Sequence, residues 1–180
     1  MFTGYEPKAG DHLVGLKENG FRSNGLSLVR KVLSDNYGQE WHLDHKDLAE
    51  KALQPSKIYC AAITDMIGSL DEEPQAEIHG FAHITGGGIP GKLGRVLKPT
   101  GLGADIKTPF EPSEIMLHCQ ELGNISNKEA YKTWNMGNGG IVITPEPDSV
   151  IDIAKKHDIE AAIIGVVTQE KGISIDDISF

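Results

Sequence analysis

Three short stretches of this sequence gather the residue types that hold anions and orient small polar ligands. The run Thr85-Gly86-Gly87-Gly88 closes an apolar segment and leads into Ile89 and Pro90. Consecutive glycines cost a folded chain conformational entropy, so three together imply a backbone that takes positive φ or passes close to another group. Exposed N–H groups running into a helix amino terminus would make an anion site. A tight turn without a ligand is the plainer alternative. The run matches neither GxGxxG nor GxxxxGK[ST], because no Lys-Ser or Lys-Thr follows at the required spacing. The second stretch, Asn19 to Gly25, has the same layout of strand, polar glycine loop and helix, and includes Arg22, Ser23 and Asn24. Arg22 could hold a phosphate through two parallel hydrogen bonds. Ser23 or Asn24 could equally be only a helix cap. The third stretch, Trp134 to Gly140, contains Asn135, Met136 and Gly137 and feeds a strand; as a turn or bulge it needs no ligand.

Other chemistries have weaker support. His42, Asp44, His45 and Asp47 have spacing that could hold a metal, but they lie in a polar stretch that reads as solvated surface. His79 and His83 would share a face if their segment is a strand, yet no third ligand is evident, so no metal site is expected. No GxSxG supports a nucleophilic serine. Cys60 and Cys119 sit in apolar stretches, far apart and without CxxC spacing, and read as buried free thiols.

The elements that would position these residues follow from periodicity and punctuation. Asp11 to Leu16 reads as a strand and Leu26 to Leu33 as a helix, with Leu26, Val29, Val32 and Leu33 on one face. Tyr37 to Lys46 reads as irregular and Asp47 to Leu53 as a short helix, while Ile58 to Ile67 fits either strand or helix. The segment from His79 reads as a strand running into the glycine loop, with Pro90 in the first turn of a helix reaching Val96. Further along, Leu102–Ile106 and Gly139–Thr144 read as strands, as do Ala161–Val167 and Ile173–Ile175. Ser113–Leu122, Lys128–Trp134 and Asp148–His157 read as helices. Such interleaving implies an α/β sandwich.

At 180 residues and 39% hydrophobic, the chain is expected to fold as one domain over its whole length. Lys plus Arg number 17 against 26 Asp plus Glu, a net charge of -9 with no basic run beyond Lys155-Lys156. That argues against nucleic acid as a partner, since phosphate backbones need clustered cations. No apolar run reaches the roughly 18 residues of a membrane span, and Met1 to Lys8 lack the apolar core of a signal peptide. A soluble, cytoplasmic protein is the expectation.

Taken in order, the three loops are more specific than any one of them. Gly10 to Leu16 (GDHLVGL), Ser23 to Lys31 (SNGLSLVRK), Ala82 to Pro90 (AHITGGGIP), Arg95-Val96-Leu97 and Tyr131 to Gly137 (YKTWNMG) resemble the carboxy-terminal domain of aminoimidazole ribonucleotide synthetases over almost the whole chain. The resemblance implies an α+β fold of three layers, α/β/α and partly ferredoxin-like. It implies a part in phosphoribosylformylglycinamidine cyclo-ligase, which makes aminoimidazole ribonucleotide from formylglycinamidine ribonucleotide with ATP and Mg2+ in purine synthesis. It also implies an amino-terminal domain, with no counterpart here, that supplies much of the nucleotide and metal site and forms the dimer. Substrate would be held by Ser23, Asn24, Gly25, Thr85, Gly86, Gly87, Gly88, Asn135, Met136 and Gly137, with Arg22 as the catalytic candidate and no tight ATP or metal binding by this chain alone. Two departures stand out. The family commonly has His where Arg22 stands, and Arg cannot act as a base at neutral pH. Asn138-Gly139-Gly140 replaces a more usual apolar residue, Gly and Met. A noncatalytic assembly module or a paralogue of the same superfamily is the competing expectation.

Overall fold

The computed structural model describes residue 4, residues 6–69 and residues 72–180; part of the stretch Met1 to Lys8 read for a signal peptide lies outside the described residues. A sheet of seven strands carries the molecule, in the order β2-β4-β1-β5-β3-β6-β7. Its centre is β1 (His12–Lys17), antiparallel to both β4 (Asn138–Thr144) and β5 (Ala161–Thr168). The short β2 (Gly80–His83) forms one edge on β4, pairing Ala82 with Ile141. On the other side β3 (Gly103–Ile106) runs parallel to β6 (Gly172–Ile175), and the two-residue β7 (Ile178–Ser179) closes that edge.

Alternation along each strand sends apolar side chains to both faces of this sheet. One face packs Leu13, Ile106, Ile141, Ile143 and Ile164 against α1 (Leu26–Tyr37), α5 (Gly88–Leu97), α6 (Glu114–Leu122) and α7 (Asn127–Thr133), flanked by the short α2 (Trp41–Asp44) and α3 (Lys46–Ala52). The other face packs Val14, Leu16 and Val142 against α4 (Cys60–Ile67) and α8 (Pro147–Lys156). The result is a three-layer α/β/α arrangement of α+β class, as the resemblance implied. Among the described residues no helix is long and apolar enough to cross a membrane.

Local chemistry accounts for some of the element ends. Ser126 accepts a hydrogen bond from the Glu129 N–H at 3.2 Å, satisfying one of the unpaired donors at the start of α7. Pro147 occupies the first position of α8, where its missing N–H costs nothing, and Lys155 and Lys156 complement the dipole at the other end. Three expectations change. Helix α1 runs on to Tyr37, because nothing interrupts it before Gly38, which turns at φ 90°. Residues 41–44, expected to be irregular, form α2, anchored by the buried Trp41. The ambiguous segment 58–67 is helical from Cys60, with Ala62 and Met66 facing the sheet, and Cys60 itself is exposed rather than buried. Cys119 is buried, and burial pushes its thiol up to about 11. His42, Asp44 and Asp47 lie on the surface.

Candidate functional site

At the end of the sheet where β1 and β2 finish, two helices begin side by side. The loop after β1 enters α1 through Gly25 at φ 70°, and the loop after β2 enters α5 through Gly87 at φ 96°. They are in contact: a Cβ on Gly86 would stand 3.5 Å from Asn24 Oδ1. Thr85 to Gly88 is a tight turn closed by the Gly88 N–H donating to the Thr85 carbonyl at 2.9 Å. Gly88 lies against the Tyr131 and Trp134 carbonyls so closely that any Cβ there would collide with the Tyr131 oxygen. Ser23, Gly86 and Gly87 are exposed, and Asn24, Gly25 and Thr85 half-buried, whereas Gly88 is buried.

Charge placement separates these two helix starts from most of the others. Helices α3, α6, α7 and α8 each carry a carboxylate in the first turn, Asp47, Glu114, Glu129 and Asp148 respectively, which complements the positive end of the helix dipole. Helices α1 and α5 carry none, a feature they share with α4. The positive ends of the α1 and α5 dipoles face the same rim, but in the first turn of α5 the Gly88 N–H is taken by Thr85 and Pro90 has none, so α5 contributes chiefly its dipole and the exposed Gly86–Gly87 backbone.

Beneath this rim lies the third loop. Trp134 is fully buried, its ring edge-on to Phe21 at 5.1 Å, and its Nε1–H donates to the Gly25 carbonyl at 3.4 Å. Asn135 donates from Nδ2 to the Gly20 carbonyl at 2.8 Å and accepts from the Gly137 N–H at 2.9 Å. Asn135, Met136 and Gly137 are all buried, so the structure brings them to the floor of the site, where they brace the Gly20–Gly25 loop, and not to its open rim.

Arg22 stands in the left-handed region, at φ 61°, which a non-glycine residue occupies at a cost. Its guanidinium is held by protein on every side. Nε lies 3.5 Å from Glu18 Oε2, Nη1 donates to the Gly139 carbonyl at 3.0 Å, Nη2 donates to His83 Nε2, and the group sits 5.6 Å from the centre of the Tyr59 ring. Glu18, only 1% exposed, is the hub: it also accepts from the N–H groups of Asn19 (3.0 Å) and Lys57 (3.2 Å). The Tyr59 hydroxyl donates to the Lys17 carbonyl at 2.8 Å. Burial, then the Glu18 charge, raises the phenol far above its ordinary value despite the opposing charge of Arg22, so Tyr59 stays neutral.

Glu18, Tyr59 and Phe81 were not picked out by the sequence reading, and His83 was weighed only as a metal ligand. A carboxylate directly after the apolar strand HLVGLK was the one available signal for Glu18. Among the described residues no group of three or more His, Cys, Asp or Glu side chains is placed to hold a metal ion.

Residues 8–178 match the family described as AIR synthase related protein, C-terminal domain, and the chain belongs to that family. Within it, the chain is 38% identical over 176 residues to a phosphoribosylformylglycinamidine cyclo-ligase of Methanopyrus kandleri, covering 96% of this chain and 48% of that protein. It is 41% identical over 172 residues to the enzyme of that name from Methanococcus maripaludis, covering 93% and 47%. The chain thus spans about half the length of the curated relatives it matches. Among solved structures, the fold is similar to Escherichia coli HypE, a hydrogenase maturation protein (TM-score 0.59, 16% identity, 100% of this chain and 51% of that one). It is also similar to Thermotoga maritima PurL complexed with ATP (TM-score 0.54, 14% identity, 97% and 24%).

Proposed function

We propose that this chain is the substrate-binding, carboxy-terminal part of a phosphoribosylformylglycinamidine cyclo-ligase, converting formylglycinamidine ribonucleotide and ATP to aminoimidazole ribonucleotide, ADP and phosphate. The observation that carries the reading is the pair of carboxylate-free helix starts, α1 and α5, meeting at Asn24 and Gly86. Two positive dipole ends and the exposed backbone of Gly86 and Gly87 suit the phosphate of a ribonucleotide. Ser23 and Thr85 add hydroxyl groups at the rim, and the absence of a Cβ at Gly86 and Gly87 lets an oxygen approach the backbone. Asn135, Met136 and Gly137 support the substrate loops from below.

Arg22 acts by holding its neighbours in place, since its donors already serve Glu18, Gly139 and His83. ATP and Mg2+ supply the phosphoryl group in the complete enzyme. In this reading the ion's site belongs to a partner amino-terminal domain in the same or another chain, and the complete enzyme is a homo-oligomer. Phosphoryl transfer depends on metal and positioned charge, so the chain alone should not turn over.

Calorimetric titration of the chain with formylglycinamidine ribonucleotide, then with ATP and Mg2+, tests this, with and without a separately expressed amino-terminal half. Substrate binding to the chain alone, with turnover only in the mixture, is the expected result. No binding and no restored turnover would leave an assembly module as the better account.

A further inference from the structure

The exposed face of β2 and the start of α4 enclose a cavity of about 450 Å³ beside the glycine rim, lined by Arg22, Lys57, Tyr59, Ile63, Phe81 and His83. Its walls are aromatic: the Phe81 and His83 rings lie within 15° of parallel, and Tyr59 meets His83 edge-on at 80°. Among the described residues, the single hydrogen-bond partner of the His83 ring is Arg22.

That partner fixes the chemistry of the ring. A guanidinium only donates and does not lose its proton in proteins, so the His83 nitrogen facing it, Nε2, must offer a lone pair. A neutral imidazole has one N–H, which is then on Nδ1. We propose that Arg22 is a positioning residue that locks His83 in the neutral Nδ1–H form, so that His83 presents the cavity with a hydrogen-bond donor and does not serve as a proton acceptor at Nε2. The cavity would take a planar group that carries a hydrogen-bond acceptor, such as an amide carbonyl or a ring nitrogen, with its face against Phe81 or Tyr59.

Surrounding charge favours the same state. Burial, followed by the charges of Arg22 and of Lys92 on α5, lowers the His83 pKa below its ordinary value. Lys57 lines the cavity as a further cation, and Tyr59 remains a neutral phenol. The nearby carboxylate, Glu18, is occupied by Arg22, Asn19 and Lys57. Arg22 holds a left-handed conformation while meeting three partners at once, which fits a residue whose place is set by the geometry it imposes on them.

The test is nitrogen-15 NMR of the imidazole groups in the full chain at neutral pH, with the His83 signals assigned by their loss in His83→Gln. The expected spectrum has an N–H-type Nδ1 and a lone-pair-type Nε2. In Arg22→Met the lock is removed and His83 should pass to a mixture of tautomers; Arg22→Lys, which keeps a donor and the charge, should restore part of the Nδ1–H signature. An Nε2–H ring or an imidazolium in the unaltered chain overturns the proposal, as does an unchanged tautomer in a folded Arg22→Met. The spectrum of the unaltered chain decides even if that variant fails to fold. No substrate is involved, so this result is independent of the cyclo-ligase reading.

Discussion

Strand β2 runs between two histidines four residues apart, and its two ends have opposite chemistry. At its start His79, 3% exposed, has Nδ1 2.7 Å from Asp11 Oδ2 and Nε2 2.8 Å from Glu77 Oε1, so both ring nitrogens face carboxylates, with the Lys8 ammonium farther off at 3.4 Å from Nε2. Asp11 also accepts from the Lys8 N–H at 2.7 Å, and the Thr144 hydroxyl donates to the Glu77 carbonyl at 2.6 Å. This end is closed, and its polar groups are spent on one another. At the far end His83 is exposed, faces a donor, and stands beside two helix starts that carry no carboxylate in their first turns. The same residue type thus ties the chain down at one end of a four-residue strand and opens toward a cavity at the other. The partner decides which: carboxylates favour the charged imidazole and hold it in the structure, and a guanidinium favours a neutral ligand-facing ring.

The comparison is sharpened most by removing the carboxylate at the closed end. Asp11→Ala leaves His79 and the Lys8 N–H without their shared acceptor in a buried setting, and breaking a buried pair from one side is costly. A stability loss of about 3 kcal/mol is expected from urea denaturation, with affinity for formylglycinamidine ribonucleotide unchanged in the folded fraction. If binding fell as far as stability, the two ends would not be separable.

A smaller loss is expected at the floor beneath the open end. Asn135→Ala removes two buried hydrogen bonds and strands the Gly20 carbonyl and the Gly137 N–H, a cost of about 2 kcal/mol. Substrate affinity should weaken only as the Gly20–Gly25 loop loosens. An Asn135→Ala chain of full stability that had lost binding altogether would show that Asn135 contacts the substrate directly.

How far the sequence disclosed these two ends depends on whether the signal is local. Helices and strands were legible where periodicity and punctuation agree, as in Leu26 to Leu33 or Asp148 to His157, and the three loops were marked by glycine and asparagine. Composition could not tell a rim from a floor. Thr85-Gly86-Gly87 and Asn135-Met136-Gly137 look alike as loops, yet one is open and the other is covered because Trp134 buries itself between Gly25 and Gly88. Nor could spacing show that Glu18 and Tyr59, 41 positions apart, converge on Arg22, since that contact depends on how α4 crosses the sheet. Cys60 read as buried for the same reason: its neighbours are apolar, but its own direction is set by the helix.

The closed end should also respond to pH. Burial disfavours the charged imidazole of His79, but its hydrogen bonds to Asp11 and Glu77 and the charge of Asp11 outweigh that and the opposing charge of Lys8, so its pKa is raised above 6.5. A group whose folded pKa is raised contributes stability that is complete below the unfolded value and is lost as pH climbs through the folded one. Thermal midpoints should therefore fall as pH rises above about 6.5, and His79→Gln should flatten that step. An unchanged step in His79→Gln would place the titration elsewhere.

The smallest expected effect lies on the rim. Ser23 is exposed at the entry to α1, where no side chain caps the helix by a hydrogen bond. Ser23→Ala should therefore shift stability by less than about 0.5 kcal/mol. A hydroxyl that donates to a bound phosphate is worth about 1 kcal/mol, or roughly fivefold in affinity for formylglycinamidine ribonucleotide by calorimetry. The pairing of a silent stability measurement with a visible binding change is what marks an open, ligand-facing end. If Ser23→Ala destabilised the chain and left binding alone, the rim would be a capping structure like the closed end, and the contrast between the two ends of β2 would collapse.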